Sequence, residues 1–168
     1  MILIGGGSRS GKSKEALKRL RASGSRLGFI ATAQAYDDEM QERIRLHREE
    51  RGRDIVSWEE PLGIADRLRS EEDSYDAIVV DCLTLWLTNV MLQSQPTDIR
   101  GQVEDLLDAA TRTRSEVILV TNEVGCGIVP ENALAREFRD QAGKLNQHAA
   151  ERASEVYWMV FGIGLRIK

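Results

Sequence analysis

The run Gly6-Gly7-Ser8-Arg9-Ser10-Gly11-Lys12-Ser13 has the residue types and spacing of a phosphate-gripping loop, G-x-x-x-x-G-K-[ST]. It follows the apolar run Ile2-Leu3-Ile4 and leads into a helical pattern from residue 12 to about residue 21, the strand–loop–helix setting this motif requires. Glycines let the backbone wrap tightly and turn successive N–H groups onto phosphate oxygens, while the helix N-terminus adds partial positive charge. Lys12 is spaced to reach β- and γ-phosphates, and Ser13 offers a hydroxyl to Mg²⁺. The bland alternative, a glycine-rich turn that happens to carry a lysine, fits the flanking strand and helix poorly. A nucleoside triphosphate is the expected ligand.

Such a loop works with a second acidic group at the end of a buried strand. Ile78-Val79-Val80-Asp81 is an apolar run ending in a carboxylate, which suits a metal-holding role for Asp81. The competing reading is an Asp that caps a helix beginning near Thr84. A third chemical group is His47, in the charged segment 37–51. Asp37 and Asp38 open that segment and arginines gather toward its end, as a helix dipole favours. His47 follows Ile44 by three residues and Met40 by seven, so all three share a helix face. Neutral imidazole is a competent nucleophile near neutral pH. Taken alone, though, such a histidine reads as a carboxylate's partner or a wall residue. Arg43, Arg48 and Arg51 are candidates for phosphate pairing or simply solvated charges. His148 reads as structural or exposed.

These groups need a scaffold. Strand-like runs occur at 2–4, 27–31, 55–57, 77–81, 117–121, 156–161 and 165–167. Several are continuously apolar, as expected of strands covered on both faces. Between them lie helical stripes: Ile99, Val103, Leu106, Leu107 and Ala110 on one, and Leu134, Phe138, Ala142, Leu145, Ala149 and Ala153 on a long helix after Pro130. Alternating strands and helices predict an α/β fold, a three-layer α/β/α arrangement around a mostly parallel sheet, with ligands at the strands' carboxyl ends.

The 168 residues are expected to form one domain. With 42% hydrophobic and 30% charged residues the balance is that of a globular protein. The net charge of −4 gives no broad electrostatic footprint for nucleic acid, so phosphates must be held locally. No apolar run approaches the roughly 20 residues of a membrane span, and the opening strand and loop do not read as a cleavable signal. Two cysteines, Cys82 and Cys126, lack metal-ligand spacing and read as reduced thiols in the cytoplasm.

Taken together, the motifs resemble a known family. Gly6–Ser13 as quoted above, Ile30-Ala31-Thr32-Ala33, Asp37-Asp38-Glu39-Met40, Arg43-Ile44 with His47, Thr121-Asn122-Glu123-Val124-Gly125-Cys126-Gly127-Ile128-Val129-Pro130 and the ending Gly162-Ile163-Gly164-Leu165-Arg166-Ile167-Lys168 fall in the order found in it. It is the bifunctional adenosylcobinamide kinase/adenosylcobinamide-phosphate guanylyltransferase family of cobalamin biosynthesis. The resemblance spans essentially the whole chain and implies a P-loop NTPase of the RecA-like type. It further implies phosphorylation of adenosylcobinamide by ATP or GTP. GMP then passes from GTP, through an enzyme histidine, to the cobinamide phosphate.

By position His47 matches the guanylylated histidine. Gly6, Gly7, Ser8, Arg9, Ser10, Gly11, Lys12 and Ser13 match the phosphate loop. Ala31, Thr32, Ala33, Arg48, Glu49, Glu50, Arg51 and Glu60 match the guanine-nucleotide site, and Asp81 an acidic position that joins Ser13 in holding Mg²⁺. The resemblance also implies a homotrimer. Presenting γ-phosphate in one reaction and α-phosphate in the other requires movement, so the histidine helix is expected to be mobile. Asn122 and Glu123, just past a strand end, suit binding of the substrate hydroxyl or metal, or a tight connection to the long helix. Trp58 and Trp86 are open as corrin contacts, and Trp158 reads as core. Two other functions remain: a P-loop kinase of a small metabolite with no nucleotidyl transfer, and a nucleotide-dependent switch or assembly module.

Overall fold

Continuous apolar runs closed by glycine or polar residues become strands here, and the stripes between them become helices. In chain order these are β1 (Ile2–Gly6), α1 (Lys12–Ala22), β2 (Leu27–Ala31), α2 (Asp38–Arg51), β3 (Ile55–Glu59), α3 (Ile64–Ser70) and β4 (Ala77–Asp81). They are followed by α4 (Leu83–Met91), α5 (Ile99–Arg112), β5 (Glu116–Asn122), α6 (Ala133–Arg152), β6 (Glu155–Val160) and β7 (Ile163–Arg166). This computed structural model describes residues 1–35, 38–93 and 98–168, with Arg43 described in its backbone only. The expectations for Asp37 and for the Arg43 side chain lie outside the described residues.

The seven strands form one sheet in the order β3-β2-β4-β5-β1-β6-β7, all parallel except β7, which runs antiparallel to β6. Alternation along each strand divides the core in two. Ile2 and Ile4 join Ala16, Leu17 and Leu20 of α1 in one cluster. Leu3, Ile78 and Val80 join the buried faces of α3, α4, α5 and α6 in the other. Helices therefore cover both faces, which explains why β1 and the first four residues of β4 are buried without interruption. Burying a Leu or Ile side chain contributes about 1.5–3 kcal/mol, so these two clusters dominate the fold's stability.

Three details differ from expectation. Phe161 ends no strand; it and Gly162 form the β6–β7 turn with φ of 52° and 81°, the paired left-handed geometry of a tight hairpin. Trp158 is half-buried rather than core, because β6 has only the exposed β7 beyond it. The stripe on α6 engages the core from Phe138 onward, and Leu134 is exposed.

The topology sets the site. β5 lies between β1 and β4, with Gly6 opposite Asn122 and Asp81 opposite Val120. The carboxyl ends of the three strands thus bring the phosphate loop, Asn122 and Asp81 to one edge.

Candidate active site

The loop after β1 is built on two glycines that nothing else replaces. A Cβ on Gly6 (φ +153°) would stand 2.6 Å from the Met159 carbonyl oxygen and 2.8 Å from Ser10 Oγ. Gly11 has φ +96°, and a Cβ there would stand 3.2 Å from Gly162 Cα. The hairpin turn braces the loop directly, for Gly162 N–H donates to the Ser10 carbonyl at 3.0 Å. Lys12, buried at the start of α1, curls back so that Nζ donates to the Gly7 carbonyl at 2.5 Å and to Ser10 Oγ at 3.4 Å. The loop is thus shaped around its own ammonium.

In front of it lies a cleft of about 880 Å³. Ser8 through Ser13 form one wall, with Asp81, Asn122 and Glu123 beside them. α2 forms the opposite wall through Met40, Ile44, His47, Glu50 and Arg51. Phe29 and Ala31 of β2, both buried, and Ala33 after it also line the cleft. His47 and the phosphate loop therefore share one cavity.

The last turn of α2 is held firmly. Arg51 is buried, its guanidinium 4.0 Å from the centroid of Phe29. Burial holds its pKa below the ordinary arginine value, and the nearby Asp81 charge offsets part of that effect. Arg21 Nη2 donates to the carbonyls of Glu50 and Arg51, satisfying acceptors that a helix end leaves open. His47, one turn earlier, is half-exposed, with Nδ1 3.3 Å from Glu50 Oε2.

The other residues of the expected nucleotide site divide. Thr32 is buried and works as a joint: its Oγ1 donates to the Cys82 carbonyl and accepts from Cys82 N–H, both at 2.8 Å. Arg48 pairs with Glu59, and Glu49 with Arg45. Glu60 does not line the cleft; its Oε1 accepts from Gly63 N–H at 2.9 Å, at the head of α3. Asp81 faces the cleft, and α4 is headed by Cys82 without a side-chain cap. Trp86 is buried, with Nε1 donating to the Leu62 carbonyl, and Trp58 packs edge-on against Tyr75. Neither lines the cleft. His148 pairs with Glu104 at 3.4 Å.

Sequence reading gave no hint of the connections behind the rim. Asn122 Nδ2 donates to Thr84 Oγ1 at 2.8 Å, and Arg139 of α6 donates to the Gly125 carbonyl at 2.6 Å. These join residues remote in sequence, where periodicity carries no signal. The hairpin brace had only a weak local signal, Gly162 between two apolar runs, since Phe161 is not a residue that favours a positive φ.

A parallel sheet in this order, with the Gly-Lys-Ser loop after β1 and an aspartate ending β4, defines a P-loop NTPase of the RecA-like type. Solved structures agree on the fold. The RadB recombinase superposes with a TM-score of 0.52 at 18% identity, covering 94% of this chain and 72% of that one. A protein from Pyrococcus horikoshii OT3 gives 0.58 at 8% identity, covering 100% and 85%.

Sequence comparison is more specific. The family described as cobinamide kinase / cobinamide phosphate guanyltransferase matches residues 2–167, and the chain belongs to that family. It is 45% identical over 166 residues to the bifunctional adenosylcobalamin biosynthesis protein CobP of Pseudomonas aeruginosa PAO1, covering 99% of this chain and 96% of that one. It is 38% identical over 184 residues to the corresponding protein CobU of Escherichia coli K12, covering 100% and 99%.

Proposed function

We propose that this protein phosphorylates adenosylcobinamide with ATP or GTP and then transfers GMP from GTP, through His47, to give adenosylcobinamide-GDP. The observation that carries this reading is that His47 and the Lys12 loop line the same cleft. Residues 1–168 act as one nucleotide-binding catalytic domain. In the kinase reaction the substrate hydroxyl oxygen forms a bond to Pγ as the bond to the departing nucleoside diphosphate breaks, and the hydroxyl proton is released to water. Asn122 and Glu123, on the rim, bind that hydroxyl. In the second reaction the imidazole displaces pyrophosphate from Pα, and the cobinamide phosphate then displaces the imidazole.

Both reactions build negative charge on phosphate oxygens. Lys12 and the loop N–H groups of Gly6 through Ser13 meet it, with Arg51 beside Asp81 as a further buried cation. Ala31 and Ala33 line the cleft with apolar surface on which a purine fits. Mg²⁺ suits the site, since the Ser13 hydroxyl and Asp81 carboxylate are hard oxygen donors on the cleft that holds the phosphate loop. When bound it would neutralise phosphate charge. Serving γ- and α-phosphate from one cradle requires α2 or the nucleotide to shift, and hydrogen exchange in α2 should change when GTP is added.

The exposed apolar side chains Phe161, Ile163 and Leu165 along the β7 edge support assembly with further copies, which the family resemblance makes a homotrimer. Two free thiols, Cys82 and Cys126, suit the reducing cytoplasm.

Incubation with GTP labelled at Pα tests the reading. Acid-labile, alkali-stable label should appear on the protein, vanish in His47→Ala, and be chased off by cobinamide phosphate. No label on the wild type would leave a small-metabolite kinase.

A further inference from the structure

His47 stands on the cleft-facing side of α2, and three residues later the helix returns Glu50 to the same side. Glu50 Oε2 lies 3.3 Å from His47 Nδ1. Among the described side chains, neighbouring charges on this helix are engaged elsewhere: Arg45 with Glu42 and Glu49, Arg48 with Glu59, Arg51 over Phe29. Among the described residues, Glu50 is the carboxylate set against the ring. The two imidazole nitrogens are therefore not equivalent, since Nδ1 faces an anion.

We propose that Glu50 is the positioning residue for His47: it keeps the proton on Nδ1, so that Nε2 is the atom that takes up the guanylyl group. This rests on the guanylyl-transfer reading above and deepens it. Neutral imidazole divides between two tautomers, and only the one protonated at Nδ1 carries its lone pair on Nε2. In the first displacement that lone pair forms the bond to Pα while the bond from Pα to pyrophosphate breaks, its electron pair leaving with pyrophosphate. The ring becomes a cation that retains its Nδ1 proton opposite the Glu50 carboxylate.

In the second displacement a phosphate oxygen of the acceptor bonds to the phosphorus, and the N–P electron pair returns to Nε2. The leaving group is then neutral imidazole, still protonated on Nδ1. No proton has to cross the ring in either displacement. A carboxylate at Nδ1 thus stabilises the charged intermediate and keeps its leaving group competent. An exposed pair with this spacing adds little to stability, so its loss belongs in the chemistry rather than in the melting curve.

The test compares wild type with Glu50→Gln and Glu50→Ala, each also carrying ¹⁵N-histidine. The ¹⁵N–³¹P coupling of the GTP-treated protein identifies the bonded nitrogen, and rapid quench gives the rates of labelling and of chase by cobinamide phosphate. The expected result is a bond to Nε2 in wild type. Labelling and chase by Glu50→Ala should each be about ten- to a hundred-fold slower, on the scale of losing a partner that orients a functional histidine. The KM for GTP and the melting temperature should barely change. Glu50→Gln keeps an acceptor without charge, so it should retain the Nε2 bond at an intermediate rate.

A bond to Nδ1 in wild type would overturn the proposal, as would wild-type rates in Glu50→Ala. A raised KM for GTP at unchanged rate would make Glu50 a nucleotide contact instead. Label that depends on His47 but not on Glu50 removes this inference alone, whereas a wild type that takes no label removes the guanylyl-transfer reading along with it.

Discussion

The guanidinium of Arg51 lies over the ring of Phe29, 4.0 Å from its centroid, and fastens the last turn of α2 to β2 beneath the cleft. His47 sits one turn before that anchor, so the fixed end of the helix holds the histidine at the cleft. Arg51→Ala should destabilise the protein by about 1–3 kcal/mol through lost packing and raise the GTP concentration needed for half-maximal labelling. Arg51→Lys should recover little, because an ammonium cannot stack flat on the ring. Thermal denaturation and a GTP titration of the labelling reaction check both statements.

Gly6 has no room for a side chain. Gly6→Ala should cost about 1–3 kcal/mol or more, since its Cβ would meet a backbone oxygen that cannot easily give way. The loop should lose nucleotide binding with it, measurable by calorimetric titration of GTP.

Asp81 faces the cleft and Arg51 without capping α4. Asp81→Asn should fold normally and lose about 10²-fold or more of Mg²⁺-dependent turnover in both reactions. Turnover that survives this change, or that survives removal of divalent ions by chelation, would contradict the metal role.

The two thiols should behave differently. Burial, reinforced by Asp81, pushes Cys82 up to about 11, whereas Cys126 is exposed in the loop after β5. A thiol reagent at pH 8 should modify one cysteine in the native protein and both after denaturation.

At the opposite end of the sheet, Asp76 accepts from the N–H groups of Ser25 and Arg26 and from the Arg26 guanidinium. These bonds lower its pKa to about 2. Because the folded value lies below the unfolded one, the stabilisation is present above about pH 4 and is lost as pH falls toward 2. Urea midpoints measured from pH 5 to pH 2 should fall more gently in Asp76→Asn than in wild type.

What sequence could reveal here was whatever repeats locally. The phosphate loop, the apolar run into Asp81 and the Met40–Ile44–His47 face each follow a short spacing, and all three meet in the cleft. Side chains whose partners are distant were harder to place. Thr32 gave no sign that it would close on the backbone of Cys82, nor Arg51 that Phe29 would cover it. Glu60 and Arg48 fall near the cleft in sequence order, yet Glu60 bonds the head of α3 and Arg48 pairs with β3. An arginine suits a phosphate or a neighbouring carboxylate, and a glutamate suits a guanine edge or the first N–H groups of a helix, so only tertiary contacts separate the readings.

The bond from Gly162 to Ser10 ties early residues to late ones. A chain folded only as far as β5 holds every residue of the nucleotide-gripping loop but lacks the turn that braces it. The loop therefore reaches its braced geometry only once β6 and the turn that follows it are in place.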